Sequence, residues 1–310
     1  MPLVSVIVPS YNKPEYLPEC LKSIQAQTFT DWECIVVDDG SPCSEEILSI
    51  LALLNDSRFR VVRHKQNRGA AAARNTGVHH SKGFFLIHVD DDDLLVPEAI
   101  EKLLNEQQKF DADIVAPARI KRGCGGEVEI PSVPTLEIAL AERTLPCVGF
   151  LCRKSLWQLI GGQDEFLIGC EDFEWMLRAV AAGVKIVVTT DILYVIRMPV
   201  TELDARKSNA ARGRRYADVI GRYIVDKHRQ LYDRYPDARA KLLFKLTTSQ
   251  AREFLRSGAR PRAFMAAMRA VKIAGTLDSV RWFLSFVADC VLGEDRRPIR
   301  TRFRSILERL

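Results

Sequence analysis

Four aspartates in a row, Asp90 to Asp93, directly follow the apolar run Phe84-Phe85-Leu86-Ile87-His88-Val89. Adjacent carboxylates repel one another, and each needs solvent, a cation or a proton to offset that cost. In an extended chain successive side chains alternate, so Asp90 and Asp92 are expected on one side and Asp91 and Asp93 on the other. An Asp-x-Asp pair at the end of a buried strand offers hard oxygen ligands suited to Mg²⁺ or Mn²⁺, with a diphosphate supplying further oxygens. A solvated acidic loop that merely ends a strand would have the same composition. Two more acidic pairs stand out. Asp38-Asp39-Gly40-Ser41 ends another apolar run, and Asp-Gly pairs commonly form turns. Glu171-Asp172 by itself reads as the first turn of a helix, where the dipole favours acids. The five histidines, at 64, 79, 80, 88 and 228, show no metal-ligand spacing.

These acids need elements to position them. The first 120 residues alternate between short β-rich runs and helical patterns. Val4–Val8, Cys34–Val37, Arg60–Arg63 and Phe84–Val89 read as strands. Residues 14–29, 44–54, 70–80 and 97–110 read as helices, the first with Leu17, Cys20, Leu21 and Ile24 at i, i+3, i+4, i+7 spacing. Such alternation predicts an α/β fold, a mainly parallel sheet flanked by helices. Ligands then sit outside the carboxyl ends of the strands, where Pro9-Ser10-Tyr11-Asn12, Asp38–Ser41 and Asp90–Asp93 all fall. No Gly-x-Gly-x-x-Gly follows a strand, which argues against a dinucleotide-binding domain. Residues 119–147 read as an irregular substrate-facing loop or lid. A strand over 148–152, helices from 154 and over 171–182, and a strand over 185–189 follow. From Asp204 onward helices are expected over 204–232, 237–257, 261–274 and 279–292.

At 310 residues and 47% hydrophobic, the chain can bury a large core. No signal peptide is apparent, and no apolar run reaches the roughly 18 residues that span a bilayer. The eight cysteines have no Cys-x-x-Cys pair and read as reduced core residues of a cytoplasmic protein. The net charge of +5 hides an asymmetry. Residues 200–310 hold 25 Lys and Arg against 12 Asp and Glu, whereas residues 1–199 hold 20 against 28. Division into residues 1–200 and a basic helical region 201–310 is therefore expected.

With these residues in hand, the chain resembles the family-2 glycosyltransferases of the GT-A fold over about residues 3–200. Six segments in the family's order carry the resemblance. They are Val4-Ser5-Val6-Ile7-Val8-Pro9-Ser10-Tyr11-Asn12, Val36-Val37-Asp38-Asp39-Gly40-Ser41, and Asn67-x-Gly69 with Ala73-Arg74-Asn75-x-Gly77. Asp90–Asp93 with Pro97, Gly161-Gly162-x-Asp164-Glu165 and Glu171-Asp172 complete the set. One departure is Gln163, where the family often has an aromatic.

The resemblance implies a GT-A nucleotide-diphospho-sugar transferase fold with a C-terminal helical extension. It implies an inverting, metal-dependent transfer from a nucleotide-sugar donor, with a UDP-sugar favoured, to a saccharide or lipid-linked hydroxyl acceptor in polysaccharide or glycoconjugate synthesis. Asp38 and Asp39 would grip the base, because a carboxylate accepting from N3–H selects uracil over cytosine. Tyr11 would lie against the base face, with backbone groups near Pro9 beside it. Arg74 would point to the diphosphate or base, and Asp91 would join the donor-binding set. Asp92 would bind Mn²⁺ or Mg²⁺ directly, with Asp90 on the ribose or a metal-bound water. Asp172 would be the general base, supported by Glu171.

Two other function classes compete. A GT-A-like nucleotidyltransferase would carry a glycine- and basic-rich phosphate loop, which Pro9–Asn12 is not. A non-enzymatic basic adaptor for membrane or nucleic acid leaves both acid centres unexplained, and no nucleic-acid partner is expected. Residues 279–310 have two readings. One is a peripheral membrane contact on an anionic inner leaflet; the other is a helix packed within a C-terminal bundle.

Overall fold

The computed structural model describes residues 1–122, 126–142, 148–197 and 214–292. These fall into two compact units, one built from residues 1–139 and 148–197, the other from 140–142 and 214–292.

The strands of the first unit are β1 (Val4–Ser10), β2 (Trp32–Asp38), β3 (Phe59–Arg63), β4 (Phe85–His88), β5 (Leu94–Leu95), β6 (Ile114–Arg122), β7 (Glu127–Glu129), β8 (Leu151–Arg153) and β9 (Ile186–Arg197). They form one sheet in the order β3-β2-β1-β4-β8-β6-β9-β5, with β7 paired to β6. The β3-β2-β1-β4 half is parallel. β8 enters antiparallel between β4 and β6, and β5 runs antiparallel to β9, so the sheet is mixed rather than wholly parallel.

Both faces of β1 and β2 are covered, which is why they read as continuous apolar runs. Val6, Val8, Cys34 and Val36 pack toward α1 (Leu17–Gln25), α2 (Ser44–Leu54) and α4 (Ala99–Phe110). Ile7, Ile35 and Val37 pack on the opposite face against α3 (Ala70–His80), α6 (Lys154–Ile160) and α7 (Glu171–Ala181). Of the cysteines described, Cys20, Cys34 and Cys152 are buried and unpaired.

Two expected boundaries are corrected. The stretch read as irregular from 119 instead continues β6 to Arg122 and turns into β7, followed by α5 (Leu136–Ala141). Its polarity comes from cross-strand ion pairs, Arg119 with Glu129 at 3.0 Å and Lys121 with Glu127 at 3.2 Å, which stabilise a sheet edge while mimicking loop composition. Parts of that expected lid, 123–125 and 143–147, lie outside the described residues. The last strand does not end near 189. Register shifts beside Ala118 let β9 run on through the polar Thr189-Thr190-Asp191 to Arg197.

The second unit contains α8 (Ala217–Lys227), α9 (Arg229–Arg234), α10 (Pro236–Arg256), α11 (Arg260–Ala274) and α12 (Leu277–Leu292). Its core is built on small residues, Ala251, Ala263, Ala266 and Ala267, which close around Phe286. The helix expected over 204–232 is broken at His228, and its first part lies outside the described residues. Trp282 stacks on Phe286 at 5.2 Å and meets Phe244 edge-on at 5.7 Å, so this aromatic face of α12 turns inward. Residues 293–310 lie outside the described residues. No described helix is long and apolar enough to cross a membrane.

Candidate active site

β4 ends at His88, and Val89 donates to Ile7 O at 3.0 Å, which still ties the chain to β1. Asp90 to Asp93 then curl into a tight turn closed by Asp93 N donating to Asp90 O at 3.0 Å. The extended alternation expected for these residues is therefore wrong. A turn brings positions i, i+2 and i+3 together, and carboxylate oxygens of Asp90, Asp92 and Asp93 lie within 4.8 Å of one another. Asp91 turns away and accepts from Ser10 Oγ at 2.9 Å.

Residues from β9 hold this turn. Tyr194 donates its hydroxyl to Asp93 Oδ2 at 2.8 Å and accepts from Asp90 N at 3.2 Å. Arg197 N donates to Asp93 Oδ1 at 2.9 Å. The Arg197 side chain donates to the carbonyls of Asp92, of Asp91 at 3.3 Å and of Tyr16 at 2.9 Å. Gly149, at φ +75°, admits the Tyr194 ring, because a Cβ there would sit 2.4 Å from it.

The cluster crowds four carboxyl groups into a partly buried turn. Burial pushes Asp91 up to about 7 against the pull of Lys13, and neighbouring Asp92 adds to the rise. Burial also raises Asp93, reinforced by Asp90 and Asp92. Lys13 answers this charge: its Nζ contacts Asp92 and lies 3.6 Å from Asp91 Oδ1. Desolvation opposes its ionisation, yet the aspartates win and raise its pKa. His88, beneath the turn, is a core residue. It is fully buried, lies 4.7 Å from the Trp157 ring, and is held down to about 3 by burial and then by Arg74.

The second acid centre starts at the N-terminus of α7. Its approach is the turn 161–165, which Asn75 of α3 clamps. Asn75 Nδ2 donates to Gln163 O, and Gln163 N donates back to Asn75 Oδ1, both at 2.8 Å. A Cβ on Gly162 would lie 2.4 Å from that Oδ1, so glycine is required by the close approach. On the other side Trp175 Nε1 donates to Gly161 O at 3.0 Å, and Arg178, paired with buried Glu174 at 2.9 Å, donates to Gly162 O at 2.7 Å. An open recess of about 570 Å³ beside the turn is lined by Gln66, Asn67, Arg68, Asp164, Glu165 and Phe166.

Buried Arg74 connects the two centres. It donates to Asp90 Oδ1 at 2.8 Å, and from its other terminal nitrogen to Glu171 Oε1 and Gln163 Oε1, each at 3.2 Å. Burial raises Glu171, with Arg74 opposing and Asp172 adding to the rise. Arg74 Nε, Gln163 Nε2 and Glu171 Oε2 are buried with no hydrogen-bond partner among the described residues. Such orphaned atoms are uncommon and call for a partner from outside the chain, a water, an ion or a polar ligand. Asp172, adjacent to Glu171, is half-buried at the same helix start.

At the same carboxyl edge of the sheet, Pro9 is buried in β1 opposite Val37, and Tyr11 is exposed just beyond the strand. Asp38 serves its own loop, accepting from Ser41 N at 2.8 Å and from Ser44 Oγ. Asp39 accepts from Arg68 N and Gly69 N, both at 2.8 Å, at the start of α3, and contacts His64 Nδ1 at 2.7 Å. The structure thus joins Asp90, Arg74 and Glu171 directly, while Asp38 is held by Ser41 N, Ser44 Oγ and Arg63, and Asp39 chiefly by backbone N–H groups.

Sequence reasoning missed Lys13, Gln163, Tyr194 and Arg197. Lys13 had a signal, a cation two residues past Tyr11 at a strand end that must converge with Asp90–Asp93. Tyr194 and Arg197 had none, because β9 was expected to end before them.

The chain is similar to known proteins in sequence and in fold. An uncharacterized glycosyltransferase of Haemophilus influenzae is 33% identical over 184 residues, 57% of this chain and 61% of that one. A chondroitin synthase of Escherichia coli is 29% identical over 220 residues, 67% of this chain and 32% of that one. The chain thus spans less than two thirds of those relatives' own length. The crystal structure of S. aureus TarS 1-349 in complex with UDP-GlcNAc superposes with a TM-score of 0.64 at 18% identity, covering 99% of this chain and 91% of that one. Residues 5–147 match the family described as Glycosyl transferase family 2. The segment that carries Asp39, Arg74 and the Asp90–Asp93 turn thus matches glycosyl transferase family 2, and the fold is GT-A.

Proposed function

We propose that this protein is an inverting, metal-dependent glycosyltransferase that moves a sugar from a nucleoside diphosphate, best matched by UDP, to a hydroxyl acceptor. The observation that carries the reading is Arg74, whose guanidinium spans Asp90 and Glu171 and so ties a cation-binding turn to a carboxylate pair at a helix start. Asp90, Asp92 and Asp93 fit a divalent metal, since all three present hard oxygens within reach of one ion. When bound, Mn²⁺ or Mg²⁺ would supply countercharge to the leaving diphosphate.

The residues of the chain do the rest. The acceptor oxygen attacks the anomeric carbon while Asp172 takes its proton, and the bond to the diphosphate breaks with its electrons left on oxygen. Glu171, held by Arg74, positions the acceptor. Lys13 and Arg74 place positive charge beside the diphosphate. Asp39, with Asp38 behind it and Tyr11 and Pro9 alongside, receives the base. Each carboxylate oxygen takes about two hydrogen bonds, so Asp39 Oδ2, bonded to Gly69 N, retains a site for a base N–H. Asp91 orders the donor site through Ser10 and Lys13.

The TarS complex with UDP-GlcNAc supports a UDP-sugar, and the chondroitin synthase likeness supports work on a saccharide or lipid-linked acceptor in polysaccharide synthesis. The transferase domain would be residues 1–200 and the basic helical region 201–310, at the cytoplasmic face of a membrane. Mn²⁺-dependent UDP release from a panel of nucleotide sugars, with an EDTA control, tests the reading. Release of pyrophosphate instead would mark nucleotidyl transfer, and no release with any donor would reject it.

A further inference from the structure

The outer face of α11 carries Phe264, Met265 and Met268, each between 45% and 61% exposed. On a helix of 3.6 residues per turn these three fall within about 100° of one another. The inner face is the alanine stripe Ala263, Ala266, Ala267 and Ala270, fully buried in the unit's core. Large apolar side chains outside and small ones inside reverse the usual pattern of a surface helix. The apolar surface continues onto α12. The Phe264 and Phe283 rings lie 5.6 Å apart, and exposed Val280 and Leu284 flank Phe283 on the same stripe of that helix.

Along α11 and its flanks the charge has one sign, and the exposed acid at the start of α12, Asp278, is paired with Arg281 at 3.4 Å. From Phe254 to Leu277 the sequence holds Arg256, Arg260, Arg262, Arg269 and Lys272 and no acidic residue. Arg260 borders the apolar stripe on one edge and Arg262 on the other, and both are exposed. An apolar strip of Phe and Met between arginines matches a bilayer interface, where rings and thioethers enter the acyl boundary and cations meet anionic headgroups. A second copy of the chain fits less well, because a symmetric contact would set these cations against their own copies.

We propose that the outer face of α11, continued by Val280 and Leu284 of α12, is a docking surface for an anionic lipid bilayer. The face lies in the helical unit, and the inference is independent of the transferase reading. It also differs from an anchor built on Trp282 and Phe286, which pack inward.

Flotation of the full-length protein with vesicles of phosphatidylcholine, with and without phosphatidylglycerol, tests it. Binding is expected to the mixed vesicles alone and to weaken as salt rises. The triple variant F264S/M265S/M268S should bind at least about tenfold more weakly, and the double variant R260Q/R262Q should be weakened too. Circular dichroism of each variant should match the parent, since every altered side chain is exposed. Replacing Arg296, Arg297, Arg300, Arg302 and Arg304 by Gln in the full chain should leave most of the binding. Three results would overturn the proposal: no vesicle binding by the folded parent, parental binding by F264S/M265S/M268S, or a parental dimer that this triple variant abolishes.

Discussion

Asp90 and Glu171 share the guanidinium of Arg74, at 2.8 Å and 3.2 Å. One carboxylate belongs to the turn that ends β4 and the other to the start of α7, so a single buried cation sets the spacing between the two acid centres. Removing it leaves two carboxylates facing each other in a partly desolvated site. Arg74→Met should therefore destabilise the protein by about 3–5 kcal/mol, the usual penalty for breaking a buried pair, read as a lower urea midpoint.

Glu171 also makes stability depend on pH. Its carboxyl is raised by burial, so the folded protein holds a proton that the unfolded chain releases near its ordinary value of about 4.3. The resulting stability is fully present below that value and is lost as pH rises through the folded pKa. Denaturant titrations from pH 4 upward should show this loss, and Glu171→Gln should make it shallower, leaving the share that raised Asp91 and Asp93 contribute.

The cation-binding turn gives a direct test. Asp92→Asn should abolish or nearly abolish transfer with little change in melting temperature, because Asp92 stands at a partly exposed strand end. EDTA should silence the parent, and Mn²⁺ or Mg²⁺ should restore it. Asp93→Asn should weaken Mn²⁺ binding as well, since its carboxylate joins the same cluster. Full turnover by metal-free protein would remove the metal from the mechanism.

Lys13 competes for the same charge. Its ammonium contacts Asp92 and approaches Asp91. Lys13→Met should lower the melting temperature of metal-free protein, because the aspartates lose their internal counter-ion. Added Mn²⁺ should then raise the melting temperature of the variant more than that of the parent. Equal shifts in the two proteins would show that Lys13 does not contend with the metal.

The proposed base separates binding from turnover. Asp172→Asn should bind UDP with near-parental affinity and lose turnover by roughly 10²–10⁴-fold, the range usual for loss of a general base. NMR of the parent product should show an inverted anomeric configuration. Retention of configuration would exclude direct displacement with Asp172 as base.

Asn75 tests the support beneath that base. Its two bonds to the Gln163 backbone hold the 161–165 turn against α3. Asn75→Ala should cost about 1–3 kcal/mol, because a buried backbone N–H and C=O lose their partners. Urea unfolding measures that cost, and a lowered kcat with little change in donor affinity should accompany it.

Much of this was legible in the chain itself. Where burial on both faces writes a continuous apolar run, as in Val4–Val8, or a helix repeats its core residues, as in Leu17, Cys20, Leu21 and Ile24, local pattern and final structure agree. Helices α2 and α3 begin and end where their sequences predict. The acids that line the strand ends could be named for the same reason, since a parallel sheet brings its carboxyl ends to one edge. Which acids converge was decided only by the tertiary structure. Asp93 rather than Asp91 joins Asp90 and Asp92, because Tyr194 and Arg197 arrive from β9 and curl the turn. Lys13 meets Asp92, and Arg74 meets Glu171, across sequence separations that no local periodicity encodes. The inward turn of Trp282 has the same origin: α12 is apolar on nearly every side, and only its packing against Phe244 and the alanines of α10 and α11 selects the face that is buried.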